Sequence, residues 1–197
     1  AEKVKEVIDA LKLEKINLLG HSLGGYVSLA FAEKFPEILE SMTLFFSTTV
    51  ADDEEKKEIR RRSIAVIDEN FETFVKTSIP NLFSNNEKDI LEGKIELAKN
   101  IAKSTDKEGV KAAQLGMAER PDRTEILENL DAKILIIAGK YDNAVKTENL
   151  LKTIPEKTNI KTYVLDCGHN GHWEKPTICA EIINTELLHN LPKHFLL

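Results

Sequence analysis

Apolar and polar positions alternate along the first third of the chain in a way that predicts helices and strands in turn. Apolar residues at helical spacing predict an amphipathic helix over about 2–12, and a short apolar run predicts a strand at 16–19. A second helix over about 24–35 ends at Pro36, which has no backbone N–H to donate. The apolar run at 42–46 predicts another buried strand. Such alternation is typical of a parallel sheet with crossover helices.

The middle of the chain, residues 50–128, lacks the short apolar runs that predict strands. Its mixture of charged and apolar positions is that of helices, and a helical insertion above a sheet edge commonly acts as a lid over a binding site. We predict helices here over 52–68, 71–83, 87–103 and 107–119. The apolar side chains expected inside this insertion are Ile64, Ile67, Phe71, Phe74, Leu82 and Phe83.

Apolar runs return after the helical segment and complete the predicted core. Residues 134–139 predict a fully buried strand, 161–165 predict a further strand, and Pro176 is well placed to begin a final helix. The predicted fold class is therefore α/β, with a mostly parallel sheet, flanking helices and an inserted helical cap. We assign 1–49 and 129–197 to the core and 50–128 to the cap or lid.

The composition and net charge of the chain argue against some classes of binding partner. The chain has 197 residues with 27 basic and 33 acidic side chains, and its net charge of −6 argues against a nucleic-acid partner. We interpret the dense charge run at 52–62 as a solvated helix face. No apolar run reaches the ~20 residues of a membrane span, and no signal peptide is evident. Cys167 and Cys179 form no disulfide framework, so we expect a reducing, cytoplasmic location.

The segment Gly20–Gly24 (GHSLG) lies between a predicted strand and a predicted helix, which is the context that a Gly-x-Ser-x-Gly motif needs. In such a sharp turn the Oγ of Ser22 projects above the strand ends. The helix N-terminus places the N–H of Leu23 where it can donate to a developing oxyanion. We expect glycine at positions 20 and 24 because a side chain at either would collide with the other or with neighbouring strands.

Other interpretations of this turn fail on residue identity. A phosphate-binding loop needs Lys where this chain has Tyr26, and a dinucleotide fingerprint needs Gly where it has Ser22. A glycine-rich turn without any chemistry is the remaining alternative. The strand before the turn and the helix after it favour the catalytic interpretation, and because serine is a weak nucleophile that interpretation also requires a base.

A base and an acid follow in the order that this kind of serine site requires. Asp142 comes just after the strand that ends at Gly139, and His169 comes just after the next strand. Because parallel strands present their carboxyl ends at one sheet edge, both side chains are expected beside Ser22. His takes the serine proton, and Asp fixes the His tautomer. We predict Ser22 as nucleophile, His169 as base and Asp142 as acid.

Several residues near these motifs have competing roles. The alternative for Asp142 is a turn-forming loop residue, and His172 is a rival base or a pocket wall. The Cys-x-His-x-x-His spacing that starts at Cys167 suggests a metal site, but no fourth ligand is evident, so we expect no metal and no cofactor. We expect His21 to pack beside the turn and Glu174 to act as a first-turn helix charge.

Three motifs, GHSLGG, GKYD and CGHNGHWEKP, resemble those of the α/β-hydrolase superfamily, and more narrowly of its small soluble esterase-like branch with a helical cap. The resemblance covers essentially the whole chain and implies hydrolysis of small-molecule carboxylic esters through an acyl-enzyme. It matches Ser22 to the nucleophile, Asp142 to the acid, His169 to the base and Leu23 to the oxyanion hole. Thioesterase, C–C hydrolase, haloperoxidase-like and acyltransferase activities remain open. The alternative function is a non-catalytic ligand-binding member or an inactive fragment.

The chain departs from the family pattern at its beginning. Family members start with about 60–80 residues that have no counterpart here, including the first strands and a loop that donates the second oxyanion N–H. We therefore expect either a fragment or a protein whose missing half comes from elsewhere. We also expect strand 16–19 to form an exposed apolar edge that invites pairing with another chain, for example in a homo-oligomer.

Overall fold

The structure is a computed structural model that describes residues 1–188. Within these residues, four parallel strands form one sheet in the order β1–β2–β3–β4. Spatial order equals chain order, so each connection crosses over and all strands end at the same sheet edge. This arrangement confirms the α/β fold class. The strands are β1 (Ile16–His21), β2 (Leu39–Phe45), β3 (Lys133–Gly139) and β4 (Ile160–Leu165).

Helices cover both faces of this sheet. The helices are α1 (Glu2–Ala10), α2 (Leu23–Lys34), α3 (Glu54–Ser78), α4 (Lys88–Lys103), α5 (Lys107–Glu119), α6 (Glu125–Asn129), α7 (Thr147–Leu151), α8 (Gly171–Glu174) and α9 (Pro176–Ile183). α1, α2, α6 and α7 pack on one face, and α9 packs on the other. Each face of the sheet has its own apolar core, and alternate side chains of β3 pack into the two cores. Ile134 and Ile136 lie on the first face, and Leu135 and Ile137 lie on the second.

The segment between β2 and β3 is helical, as the sequence pattern predicts. α3 spans the first two predicted helices as one assigned element, but Asn70 inside it has non-helical backbone angles (φ −155°, ψ 92°). Asn70 Oδ1 accepts a hydrogen bond from Thr73 N at 3.0 Å and so caps the second half. That half ends at Ser78, earlier than predicted, and a 3₁₀ turn at Ile79–Leu82 follows because Pro80 cannot continue the α-helical bonding.

The two ends of the helical segment are joined at a buried carboxylate. Asp52 pairs with Arg60 of α3 and accepts from Arg120 Nη2 at 2.9 Å. Arg120 also donates to Val50 O at 2.9 Å, and its guanidinium lies 4.0 Å from the centre of the Tyr26 ring. The interpretation of 52–62 as a solvated face is therefore wrong for Asp52 and Arg60, which tertiary partners bury. The division into core and cap stays a prediction, and its residues 189–197 lie outside the described range.

β1 lies at one edge of the sheet formed by the described residues. Within them it pairs with β2 alone, and Leu19 remains 39% exposed. The expected apolar edge is therefore present in this part of the chain, while pairing with another chain stays a prediction. Over residues 1–188 the structure contains no helix with the length and apolar character that crossing a membrane requires.

Candidate active site

Ser22 lies at the junction of β1 and α2 in a strained backbone conformation. Its φ of 50° and ψ of −114° fall where L-residues are rare, at a cost of about 1–3 kcal/mol. Neighbouring groups hold it there, since Ser22 N donates to Phe45 O at 3.0 Å and Ser47 Oγ donates to Ser22 O at 2.8 Å. The sequence predicts this turn correctly, and the strain directs the serine side chain off the strand end.

The glycines around Ser22 differ in how much room each would leave for a side chain. A Cβ on Gly20 would lie 2.3 Å from the backbone of Gly24, so the predicted collision is present at position 20. A Cβ on Gly24 meets nothing within 4 Å among the described residues, so the predicted collision at position 24 is wrong there. The second tight position is Gly25, whose Cβ would lie 2.3 Å from Ser47 Oγ. The helix turns Gly24 outwards and Gly25 towards the β2 end.

The three side chains singled out in the sequence form one chain of hydrogen bonds. Ser22 Oγ lies 2.7 Å from His169 Nε2, and His169 Nδ1 lies 2.7 Å from Asp142 Oδ2. Asp142 Oδ1 accepts from Ala144 N at 2.7 Å and Val145 N at 2.8 Å, which fixes the carboxylate. A carboxylate only accepts, so His169 donates through Nδ1 and leaves Nε2 free to accept the serine O–H.

Leu23, the predicted oxyanion-hole residue, is the first residue of α2. Its N–H belongs to the first helical turn and therefore has no acceptor inside the helix. The partial positive charge of the helix N-terminus acts at the same place and favours a developing negative charge. The structure thus places a backbone donor directly after the candidate nucleophile.

Two further histidines lie near His169, and the ring of His21 packs against those of His169 and His172. His21 Nε2 donates to His169 O at 3.1 Å, and the rings of His21 and His172 lie 4.7 Å apart. Burial lowers the pKa of His21, and burial together with the two neighbouring imidazoles lowers the pKa of His172 to about 4. His172 Nδ1 is buried without a partner in the described chain, whereas His169 contacts Ser22. The geometry therefore favours His169 over His172 as the base.

Glu174 lies in the single turn of the short helix α8, two residues before α9 begins, and its side chain is buried. Its carboxylate accepts from Gly168 N at 3.0 Å and from Ser84 N at 3.2 Å. Burial raises the pKa of Glu174 although both N–H groups oppose that effect. Glu174 is thus an acidic residue of a first helical turn, as expected, although the turn is that of α8 and not of the last helix, and its carboxylate also bonds two backbone N–H groups outside α8.

A cavity of about 360 Å³ lies between Ser22 and the helical segment. Phe71, Phe74 and Leu82 line it as predicted, whereas Ile67 and Phe83 are fully buried in the packing behind it. Among the described lining residues, Arg60 is the one with a permanent charge, and no sequence motif singles it out. The remaining lining includes Tyr26, Val75, Ile79, Val110, Ala113, Gln114 and Met117.

The described residues offer no cluster of three or more His, Cys, Asp or Glu side chains arranged to hold a metal ion. Cys167 and Cys179 are free and buried. Burial raises the pKa of both thiols, that of Cys179 to about 11, so neither is a ready thiolate.

Comparison with known proteins shows which family the chain belongs to. A family model described as the alpha/beta hydrolase fold matches residues 1–176. The chain belongs to this family. It is similar to the solved structure of a thermophilic esterase from Thermogutta terrifontis, with 33% identity and a TM-score of 0.82 over 91% of this chain and 67% of that one.

Two further proteins that are similar to this α/β-hydrolase chain carry names that describe different reactions. A 2-hydroxy-6-oxononadienedioate/2-hydroxy-6-oxononatrienedioate hydrolase of Escherichia coli (strain K12) is 26% identical over 182 residues, which cover 88% of this chain and 62% of that protein. An enol-lactonase from Burkholderia xenovorans LB400 shares the fold, with a TM-score of 0.80, 19% identity and coverage of 93% of this chain and 69% of that one. The chain spans less than two thirds of the length of the E. coli relative.

Proposed function

We propose that the protein is a serine hydrolase that cleaves carboxylic esters of small or medium apolar acyl compounds through an acyl-enzyme. The observation that carries this proposal is the continuous hydrogen-bond chain from Ser22 through His169 to Asp142. Its serine and histidine both line the cavity beneath the helical segment. In this proposal Ser22, His169 and Asp142 are nucleophile, base and acid, and the helical segment 50–128 is a cap.

The first half of the proposed reaction forms the acyl-enzyme. Ser22 Oγ attacks the ester carbonyl carbon while His169 Nε2 takes its proton, and the carbonyl oxygen becomes an oxyanion. The N–H of Leu23 donates to that oxyanion at the positive end of α2. The charged imidazolium is stabilised by Asp142 at 2.7 Å. His169 then returns the proton to the departing alkoxide, and the C–O bond of the ester breaks.

The second half regenerates the enzyme. A water molecule gives a proton to His169 Nε2 while its oxygen attacks the acyl carbon on Ser22. The tetrahedral intermediate collapses, the bond to Ser22 Oγ breaks, and His169 protonates that oxygen. The products are the alcohol and the carboxylic acid, and no cofactor enters the balance.

A panel of p-nitrophenyl esters of increasing acyl length tests the proposed activity and pocket size together. The cavity volume and its aromatic and aliphatic lining support a preference for acyl chains of a few carbons over long ones. We expect kcat/KM to rise from acetate towards butyrate or hexanoate and to fall for the longest chains. A folded protein that hydrolyses none of these esters would support the non-catalytic alternative and contradict the proposal.

A second candidate function is hydrolysis of a C–C bond in a substrate that carries a carboxylate. Arg60 favours it: Arg60 Nε already pairs with Asp52, but the guanidinium lines the cavity among apolar residues and has further N–H donors, which suit a carboxylate. The name of the E. coli relative, which describes a dioate substrate, points the same way. Assay of a vinylogous 1,5-diketone acid in parallel with the esters separates the two candidates, and turnover of the diketone alone would replace the first with the second.

A cytoplasmic location and assembly through β1 are also proposals. The two free, buried cysteines are compatible with a reducing compartment, and the exposed edge with Leu19 supports contact with another chain. Cell fractionation tests the location. Light scattering of the wild type and of Leu19→Lys tests the assembly: loss of a dimer in the variant supports pairing through β1, and a monomeric wild type contradicts it.

A further inference from the structure

Two segments that the proposed mechanism uses separately are joined by the carboxylate of Glu174. We call residues 168–170 the histidine loop and residues 82–84 the cap strap. Both carboxylate oxygens of Glu174 accept from Gly168 N at 3.0 Å, and one of them also accepts from Ser84 N at 3.2 Å. Glu174 is only 8% exposed, so water competes little for these bonds.

Backbone groups join the same two segments directly. His169 N and Asn170 N both donate to Leu82 O, at 3.0 Å and 3.1 Å. A Cβ on Gly168 would lie 2.6 Å from Ser84 N, so the two backbones approach too closely for any side chain at that position. The histidine loop and the cap strap therefore contact each other through two main-chain hydrogen bonds to one carbonyl and through the close approach at Gly168.

The contact between the two segments connects a wall of the cavity with the candidate base. Leu82 of the cap strap lines the cavity, and His169 of the histidine loop contacts Ser22 Oγ. A shift of the strap would therefore move the base, and a misplacement of about 1 Å can cost on the order of 10²-fold in rate. Glu174 is the one side chain among the described residues whose carboxylate bonds both segments.

We propose that Glu174 is a positioning residue, which locks the histidine loop onto the cap strap so that His169 stays within reach of Ser22 only while the cap is seated. Glu174 contacts neither Ser22 nor a substrate position, and it acts through the loop. The part that His169 plays in catalysis rests on the proposed function, whereas the lock between the two segments does not.

The kinetic test compares E174Q with a matched control, E87Q. Glu87 belongs to the same region and pairs with Lys175 at the surface. In E174Q an amide NH₂ replaces one acceptor and faces an N–H group. We expect kcat for p-nitrophenyl butyrate to fall about tenfold or more, with KM changed less than about threefold, and E87Q to match the wild type. G168A, which forces the segments apart, should behave as E174Q does.

Two measurements keep the test independent of ester turnover. A downfield imidazole proton, assigned to His169 by its loss in H169Q, should shift or broaden in E174Q and stay unchanged in E87Q. In the wild type, the amides of Ser84, Gly168 and His169 should have one common protection factor against hydrogen exchange, because a single opening exposes all three. This second measurement needs no variant and so stands even if E174Q fails to fold.

The outcomes separate the two proposals. A protection factor at Ser84 about tenfold lower than that at His169 would overturn the lock, as would folded E174Q with wild-type kcat and an unmoved imidazole proton. A loss that falls entirely in KM would also overturn it. If the wild type hydrolyses no ester while the common protection factor and the imidazole shift are observed, the proposed function fails and the lock stands.

Discussion

Ser22 is held in a left-handed conformation by its neighbours rather than by its own preference. The bonds to Phe45 O and from Ser47 Oγ fix it from the β2 side, and Gly20 leaves room for the helix to begin at once. The site is therefore built before any substrate arrives, which is what electrostatic stabilisation of an oxyanion needs. The rate of the proposed reaction therefore depends on a few side chains, and replacing each of them should change a different measured quantity.

Asp142→Asn should leave the site folded and nearly inactive. The amide can donate to His169 Nδ1, which favours the tautomer whose Nε2 cannot accept the proton of Ser22. By the behaviour of serine triads in general we expect kcat to fall about 10⁴-fold. Measurement of kcat for p-nitrophenyl butyrate checks this, with Asp166→Asn as control, since the Asp166 side chain is 73% exposed and pairs with Lys140. Equal activity of the two variants would contradict the assignment of Asp142.

Gly20→Ala and Gly24→Ala should differ although both alter the same motif. A methyl group at position 20 meets backbone at 2.3 Å, and one at position 24 enters open space in the described structure. We expect Gly20→Ala to lower the free energy of unfolding by about 1–3 kcal/mol or more, and Gly24→Ala to lower it by less than about 1 kcal/mol. Urea unfolding of both variants measures the difference, and equal losses would show that the collision is relieved elsewhere.

His172 should make the protein less stable in mild acid. Burial lowers its pKa to about 4, so between about pH 6.5 and pH 4 the unfolded chain binds a proton there and the folded chain does not. The free energy of unfolding therefore falls as the pH drops through this window. We expect His172→Phe to flatten the fall in urea-unfolding measurements at pH 7, 6, 5 and 4. An unchanged slope would mean that His172 is exposed to solvent in the native state.

At the scale of elements, the helical segment is joined to the sheet at its two ends and at the histidine loop. The entrance and exit of the segment meet where Asp52 pairs with Arg60 and Arg120. Burial alone raises the pKa of Asp52, but the two guanidinium groups outweigh it and hold the pKa below its usual value. The buried carboxylate and its two guanidinium partners thus hold the two ends of the helical segment together and leave the cavity open.

Arg120→Met should loosen the base of the helical segment. It removes the bonds to Asp52 and Val50 while Arg60 still neutralises the carboxylate, so we expect a loss of about 1–3 kcal/mol in the free energy of unfolding. Arg123→Met is the matched control, because Arg123 pairs with the half-exposed Glu33 and should cost less than about 1 kcal/mol. A larger loss in the control would show that Asp52 does not carry this junction.

The sequence predicts most elements because their signals are local. The gap between the predicted helices 52–68 and 71–83 coincides with the break at Asn70, and Pro36 ends its helix as expected. The short helices α6, α7 and α8 were missed, since four or five residues give no periodic pattern. Their positions depend on tertiary contacts that no local window contains.

At the scale of the whole molecule, chain order and sheet topology together explain why the sequence could predict that the candidate site residues lie close together. Parallel strands bring Ser22, Asp142 and His169 to one edge from positions far apart in sequence. The sequence gives no comparable indication that Arg60 and Glu174 are largely buried. Its pattern predicts a surface charge run around Arg60 and a helix-start charge at Glu174, because the burial of either residue depends on which segment folds over it.

The measurement that tests the central claim most directly is the mass of the intact protein after reaction with a fluorophosphonate probe, followed by mapping of the modified peptide. We predict one probe molecule per chain, attached at Ser22, with labelling abolished in Ser22→Ala and slowed in His169→Gln. The site of attachment is independent of which ester the protein prefers. Folded wild-type protein that takes up no probe, or that takes it up at a residue other than Ser22, would contradict the account.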